Sequence, residues 1–109
     1  MIASAWTYWG SEGYGRSFLQ FDLPEIPPSA TNFSASLQLY HDPTAVHLGH
    51  YGNNAAYLER VIEDWNPAQM NWNNQPQVSD KNAVLLPESE MPEQDYILDV
   101  TALITDCYQ

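Results

Sequence analysis

Positive charge is what this sequence has least of. Arg16, Arg60 and Lys81 face fourteen carboxylates, for a formal net charge of −11. Phosphate backbones and anionic lipid surfaces are recognised by clustered Lys and Arg, so neither nucleic acid nor a membrane surface is an expected partner. Cysteine is almost absent: Cys107 stands alone, forms no intrachain disulfide and says nothing about redox compartment. The stretch from Met1 to Gly10 has neither the basic cluster nor the apolar run of a signal peptide. No apolar run is long enough for a membrane-spanning helix, so membrane insertion is not expected. Nucleophile-elbow, phosphate-loop and dinucleotide fingerprints are missing as well. Glu63, Asp64, Glu88 and Glu90 supply carboxylates without an evident cleft to hold them as a hydrolytic pair. The chain does not read as an enzyme.

What is present argues for order. A composition that is 44% hydrophobic and 13% aromatic does not suit a disordered chain. A length of 109 residues gives room for one domain, residues 1–109, with one modest core. Eight prolines and short apolar runs favour strands joined by turns. Ala5–Trp9 is strand-prone and ends at Gly10-Ser11-Glu12-Gly13. Arg16 to Leu23 alternates, with Leu19, Phe21 and Leu23 on one face. Pro24 to Ala30 makes an extended crossover. Residues 33–40 give the clearest half-buried strand, with Leu37 and Leu39 inward. Residues 55–62 and Ala83–Leu86 give two more, and 41–54 reads as a long loop. Phe21, Leu37 and Leu39 are expected in the core. At the end the period changes: Val100, Leu103, Ile104 and Cys107 form one helical stripe, and Asp99 is placed to accept a hydrogen bond from the first turn.

The segment Trp65-Asn-Pro-Ala-Gln-Met-Asn-Trp72-Asn-Asn-Gln-Pro76 bears on fold and function together. Asn and Pro oppose a helix there, so a turn, a short strand at Met70–Trp72 and a second turn at Asn73–Asn74 are expected. Trp72 is expected to plug the core. Trp65, after two acids and before Asn66-Pro67, suits a strand end in partial contact with solvent.

Trp6, Tyr8 and Trp9 form a second aromatic group, and strand alternation turns at least one ring outward. Exposed rings beside amides and carboxylates suit sugars, whose CH faces stack while their hydroxyls bond the polar groups. Trp6, Tyr8, Trp9 and Trp65 are therefore the candidate carbohydrate-binding residues. His47 and His50, with His41 and Asp42 nearby, lack the spacing of a zinc site and read as structural. No cofactor is called for; structural calcium would use the acids, but no ligand set is assignable. Arg16 and Arg60 read as structural, either ion-paired or laid against an aromatic ring.

Eight pieces in order resemble the DNRLRE domain, also classed as carbohydrate-binding module family 96. They are Ala5-Trp-Thr7, Arg16–Leu23, Ile26–Ala30, Ser34–Tyr40, His50–Ala55, Tyr57–Val61, Trp72–Pro76 and Asp99–Leu103. The resemblance implies an all-β fold, a β-sandwich or jelly roll, here incomplete and carrying one short C-terminal helix. It implies an interior fragment lacking N- and C-terminal strands, whose open edges invite strand-mediated self-association. It further implies a non-catalytic module of a secreted bacterial or cell-surface protein that binds polysaccharide, extracellular as part of a larger chain. The alternative is a structural or adhesive β-sandwich with no small ligand. Members described as binding alginate would need basic residues at the site. With only three here, a neutral glycan, or one bridged by a cation, is expected.

Overall fold

The structure is a computed structural model describing residues 5–8, 10–44 and 51–109, with residues 5–8 and 12 described by their backbone only. Trp9, His47 and His50 lie outside the described residues, as do the side chains of Trp6 and Tyr8.

Six strands are described: β1 (Ala5–Tyr8), β2 (Ser11–Tyr14), β3 (Ser36–Leu39), β4 (Ala56–Val61), β5 (Val78–Leu86) and β6 (Tyr96–Asp99). A short helix α1 (Thr101–Thr105) runs on into a 3₁₀ turn over Asp106–Tyr108. The strands pair antiparallel as β1–β2, β3–β6 and β4–β5, three two-stranded units rather than two continuous sheets among the described residues. The fold is all-β with one short helix, as the composition and alternation imply.

Alternation sets the pairing of β3 with β6. Leu37 lies opposite Leu98 and Leu39 opposite Tyr96, and all four are half-buried. Between them Gln38 and Ile97 face outward, Ile97 at 74% exposure. The helix stripe is realised at Val100, Leu103 and Ile104, while Cys107, its fourth member, is exposed. Val100 is 6% exposed, and Asp99 accepts a 2.9 Å hydrogen bond from the Thr101 N–H. The Thr101 hydroxyl first, and this N–H second, hold the Asp99 carboxyl below its ordinary pKa. The Thr101 hydroxyl meets the Ala35 N–H at 3.0 Å, and the Val100 N–H bonds the Ala35 carbonyl at 3.0 Å. These bonds fasten the start of α1 to the start of β3.

The polar run Ser79-Asp80-Lys81-Asn82 lies inside β5 as a bulge. The register passes from Leu58 opposite Val84 to Arg60 opposite Ser79, so extra β5 residues must loop out. Asn82 adopts φ 57°, a left-handed conformation that Asn tolerates better than most residues. The bulge points Lys81 and Asn82 at Asp106, which they contact at 2.7 and 2.8 Å. Asp106 is only 7% exposed, and these partners hold its carboxyl below the usual range. A second clasp joins Asn54 to Ser89 through two 2.8 Å bonds, anchoring the Gly52–Asn54 turn. His41 meets Asp95 at 2.7 Å, bringing the chain after β3 against the residue before β6.

Two expectations fail. Arg16 to Leu23 forms no strand and enters no ladder, and Phe21 is 60% exposed rather than core. Alternation prepares a face; it does not supply a neighbouring strand to pair with. Second, Met70–Trp72 is not a strand: Trp72–Asn74 forms a 3₁₀ turn, because Asn71 and Asn74 bond the local backbone instead of a ladder. Val100, at 6% exposure, and Pro76 are the buried apolar side chains among the described residues, and none is sealed completely. Leu37 and Leu39 are half-buried, in the chain's interior but not sealed there. The radius of gyration, 16.0 Å, exceeds the roughly 13 Å of a compact chain this long. The apolar side chains line an open face instead of a closed core.

Candidate functional site

The segment from Glu63 to Pro76 leaves β4 and returns to β5, and its shape is held by its own polar groups. The Ile62 N–H bonds the Gln77 carbonyl at 3.0 Å, and Glu63 accepts from the Gln77 N–H at 2.9 Å, closing the base of the loop. Above it, Asn66 accepts from the Ala68 N–H at 3.0 Å, and Pro67 takes the turn position its ring prefers. The second turn carries a reciprocal cap. The Asn71 side chain accepts from the Asn73 N–H at 2.9 Å while the Asn74 side chain accepts from the Asn71 N–H at 2.6 Å. The Asn74 amide also donates to the Gln69 carbonyl at 2.9 Å, tying the two turns together.

This scaffold sets the two indoles differently. Trp65 is half-buried and packs against Phe18 with ring centroids 5.7 Å apart. On its open side is a recess of about 140 Å³, lined by Glu63, Asp64, Trp65, Asn66, Gln69 and Met70. Ligand pockets for small molecules enclose about 300–1,000 Å³, so this is a shallow surface depression. Asp64 and the Gln69 side-chain amide make no hydrogen bond among the described residues and are available to a ligand. Trp72 is 56% exposed, not the core plug expected from the sequence. The Arg16 guanidinium lies over its ring at 5.5 Å and also donates to Gln75 at 2.7 Å. Gln75 in turn donates to the Trp72 carbonyl at 2.9 Å. Ring, guanidinium and amide thus form one fixed group, and Arg16 plays the aromatic-packing role expected of it.

Arg16 and Phe18 stand two residues apart in the chain and reach Trp72 and Trp65 respectively. One edge of the chain therefore braces both indoles. Sequence reasoning placed Trp65 in partial contact with solvent, as found, but expected Trp72 in the core. The available signal was its setting, one ring surrounded by Asn71, Asn73 and Asn74, which a buried indole rarely tolerates.

Trp6 and Tyr8 are placed by their backbone in β1, opposite Gly13 and Ser11, with Gly10 turning the hairpin at φ 81°. Nothing described brings that hairpin to Trp65. Among the described residues, no three His, Cys, Asp or Glu side chains gather as a metal site. Among the described residues Arg60 forms neither the expected ion pair nor a ring contact, and its Nε is buried without a hydrogen-bond partner.

The Trp72 indole is exposed on a turn fixed by amides, and the half-buried Trp65 borders a shallow recess together with Asp64, Asn66 and Gln69; such rings and polar groups are suited to stacking on a sugar and bonding its hydroxyls. No curated protein and no solved structure matches the chain. The sequence profile of carbohydrate-binding module family 96 matches residues 1–109, the whole of it. The chain therefore belongs to carbohydrate-binding module family 96.

Proposed function

We propose that the Trp65–Pro76 loop is the polysaccharide-binding surface, with Trp72 and Trp65 stacking on sugar rings and Asp64, Gln69 and Asn66 bonding their hydroxyls. The observation that carries this reading is the 56% exposure of Trp72 on a turn locked by its own side chains. Holding a large apolar ring in water invites burial by a ligand. A pre-set turn also removes much of the ordering cost of binding. The shallow recess suits a chain passing over the surface rather than an enclosed small molecule. Modules of this family type act outside the cell beside other domains, which is where we place this one, at the surface or secreted.

Charge selects the ligand class. At −11 overall, with Glu63 and Asp64 lining the recess, the surface repels acidic polysaccharide and favours a neutral one. Affinity should then rest on stacking and change little with salt. Trp6, Tyr8 and Trp9 are a second candidate group, read from sequence alone.

Affinity electrophoresis through gels containing neutral glycans or alginate tests this, at low and high salt and with or without a chelator. Retardation by a neutral glycan, abolished in Trp72→Ala and unaffected by salt or chelator, is the expected result. Binding intact in both Trp72→Ala and Trp65→Ala would overturn the site. If it were lost only in Trp9→Ala, it would move to the β1–β2 hairpin. Alginate binding that collapses with salt would overturn the neutral class and implicate Arg16.

A further inference from the structure

An indole ring has two faces, and on Trp72 one of them is taken. The Arg16 guanidinium carbon stands over the ring, 5.5 Å from its centroid, yet the residue is 56% exposed. That exposure therefore belongs to the opposite face and the ring edge. The guanidinium is also anchored. Its Nη1–H donates to the Gln75 side-chain oxygen at 2.7 Å, and the Gln75 amide donates to the Trp72 carbonyl at 2.9 Å. An Arg fork can lay its plane on a ring and aim an edge N–H at an acceptor together. A Lys ammonium has the charge but not the plane.

Trp65 is backed in a similar way, by Phe18, with ring centroids 5.7 Å apart and planes tilted by 46°. Arg16 and Phe18 belong to the Gly15–Pro27 run, which borders an open apolar trough together with β3 and β4. The run joins no ladder among the described residues, and its first side chains are what reach the Trp65–Pro76 loop. Backing matters for binding. An indole free to turn about χ1 and χ2 loses that freedom when a sugar stacks on it, which weakens binding. A ring already held loses less. The Arg16 charge is meanwhile engaged by the ring and by Gln75.

We propose that Arg16 is a positioning residue for glycan binding. It closes one face of Trp72 and fixes the plane of the other, so sugar stacks on a single preset face and Arg16 itself bonds no ligand. This inference rests on the reading of Trp72 as a stacking platform and adds how that platform is set. It calls for a ligand read from one side, a chain laid across the ring instead of a sugar clasped between two.

The 109-residue chain is compared with Arg16→Ala, Arg16→Lys, Gln75→Ala and Trp72→Ala. Relaxation of the Trp72 indole N–H by NMR, its signal assigned by loss in Trp72→Ala, reads ring order without ligand. Affinity gels containing hydroxyethylcellulose, galactomannan or alginate read binding. Ring order should fall in Arg16→Ala and Arg16→Lys alike, and neutral-glycan affinity should fall about two- to fivefold in both. Gln75→Ala, which leaves the guanidinium without its anchor, should shift both readings the same way. It decides the matter if the Arg16 variants fold poorly: unchanged ring order there would overturn the proposal. Parent-like order and affinity in Arg16→Lys would overturn it too, since charge alone would then suffice. Full affinity in Arg16→Ala with none in Trp72→Ala would sink the proposal and leave the platform standing. Binding that survives Trp72→Ala, or retardation of the parent by no gel, would remove the platform and the proposal together. Loss of alginate binding alone in Arg16→Ala would make Arg16 a direct ligand contact, which also overturns it.

Discussion

Around Trp72, polar side chains bond to one another and to their own backbone, whereas along the trough apolar side chains line open space. The bonds inside its two turns run between residues two to five apart in sequence, so their shape is settled locally, with longer-range bonds from Glu63 and Arg16 only fastening the loop at its base and side. The trough is assembled from β3, β4 and the Gly15–Pro27 run, which are distant in sequence and meet only when the fold forms. Local amide bonding gives rigidity without burial, and alternation gives a burial-ready face without closure. The first region is complete as described, and the second is not.

Acid should separate the two regions most widely, because it acts on several scaffold carboxylates together. Asp106 is held below its ordinary pKa by Lys81 and Asn82, Asp95 by His41, and Asp99 and Asp42 by Thr101 and Thr44. Each is more acidic folded than unfolded, so its contribution is complete above the unfolded value of 3.8. That contribution is lost as pH falls below 3.8 through the lowered folded values. Asn71 and Asn74 do not titrate. Urea midpoints followed from pH 6 down to pH 2 should therefore hold and then fall, with Trp72 fluorescence changing only as the scaffold unfolds. An earlier change confined to Trp72 would show that the loop depends on charge.

Within the scaffold, Val100→Ala should be the most damaging of the simple truncations. It removes two methyl groups from a side chain that is 6% exposed, at a cost of about 2 kcal/mol by urea denaturation. Glycan binding by molecules still folded should be unaffected, and a parallel loss of affinity would show that the regions are coupled.

Smaller again, Asn71→Ala removes the acceptor for the Asn73 N–H and should cost about 1 kcal/mol. Its larger signature should be in binding: weaker glycan affinity and faster amide exchange over Trp72–Gln75, with β3–β6 unchanged. Uniform destabilisation without loss of affinity would mean the turn is not what positions Trp72.

Much of the scaffold could be read from periodicity. Residues 36–39 and 56–61 are strands where alternation puts them, and the Val100–Cys107 stripe is helical from Thr101. Asp99 bonds the first turn as its position suggests. Tyr96–Asp99 escaped notice because four residues between an acidic loop and a helix are too few to show a period, although Tyr-Ile-Leu is strand-prone. Phe21 and Trp72 were misjudged for one shared reason. A pattern shows that a residue can be buried, but burial requires something to cover it, and neither has a cover here. Of the candidate site, Trp65 was legible from its polar flanks. The bracing of Trp72 by Arg16 was not, since the two are 56 residues apart in sequence and nothing local links them.

The reciprocal bonding of Asn71 and Asn74 makes that turn portable. A segment that carries the instructions for its own conformation does not need its parent to read them. Grafted between the ends of an unrelated β-hairpin, residues 66–75 should keep their shape. Within the parent, Asn73 and the surface around Trp72 are open to substitution without refolding anything else. Ligand preference in such a module can drift one side chain at a time while the scaffold stays as it is.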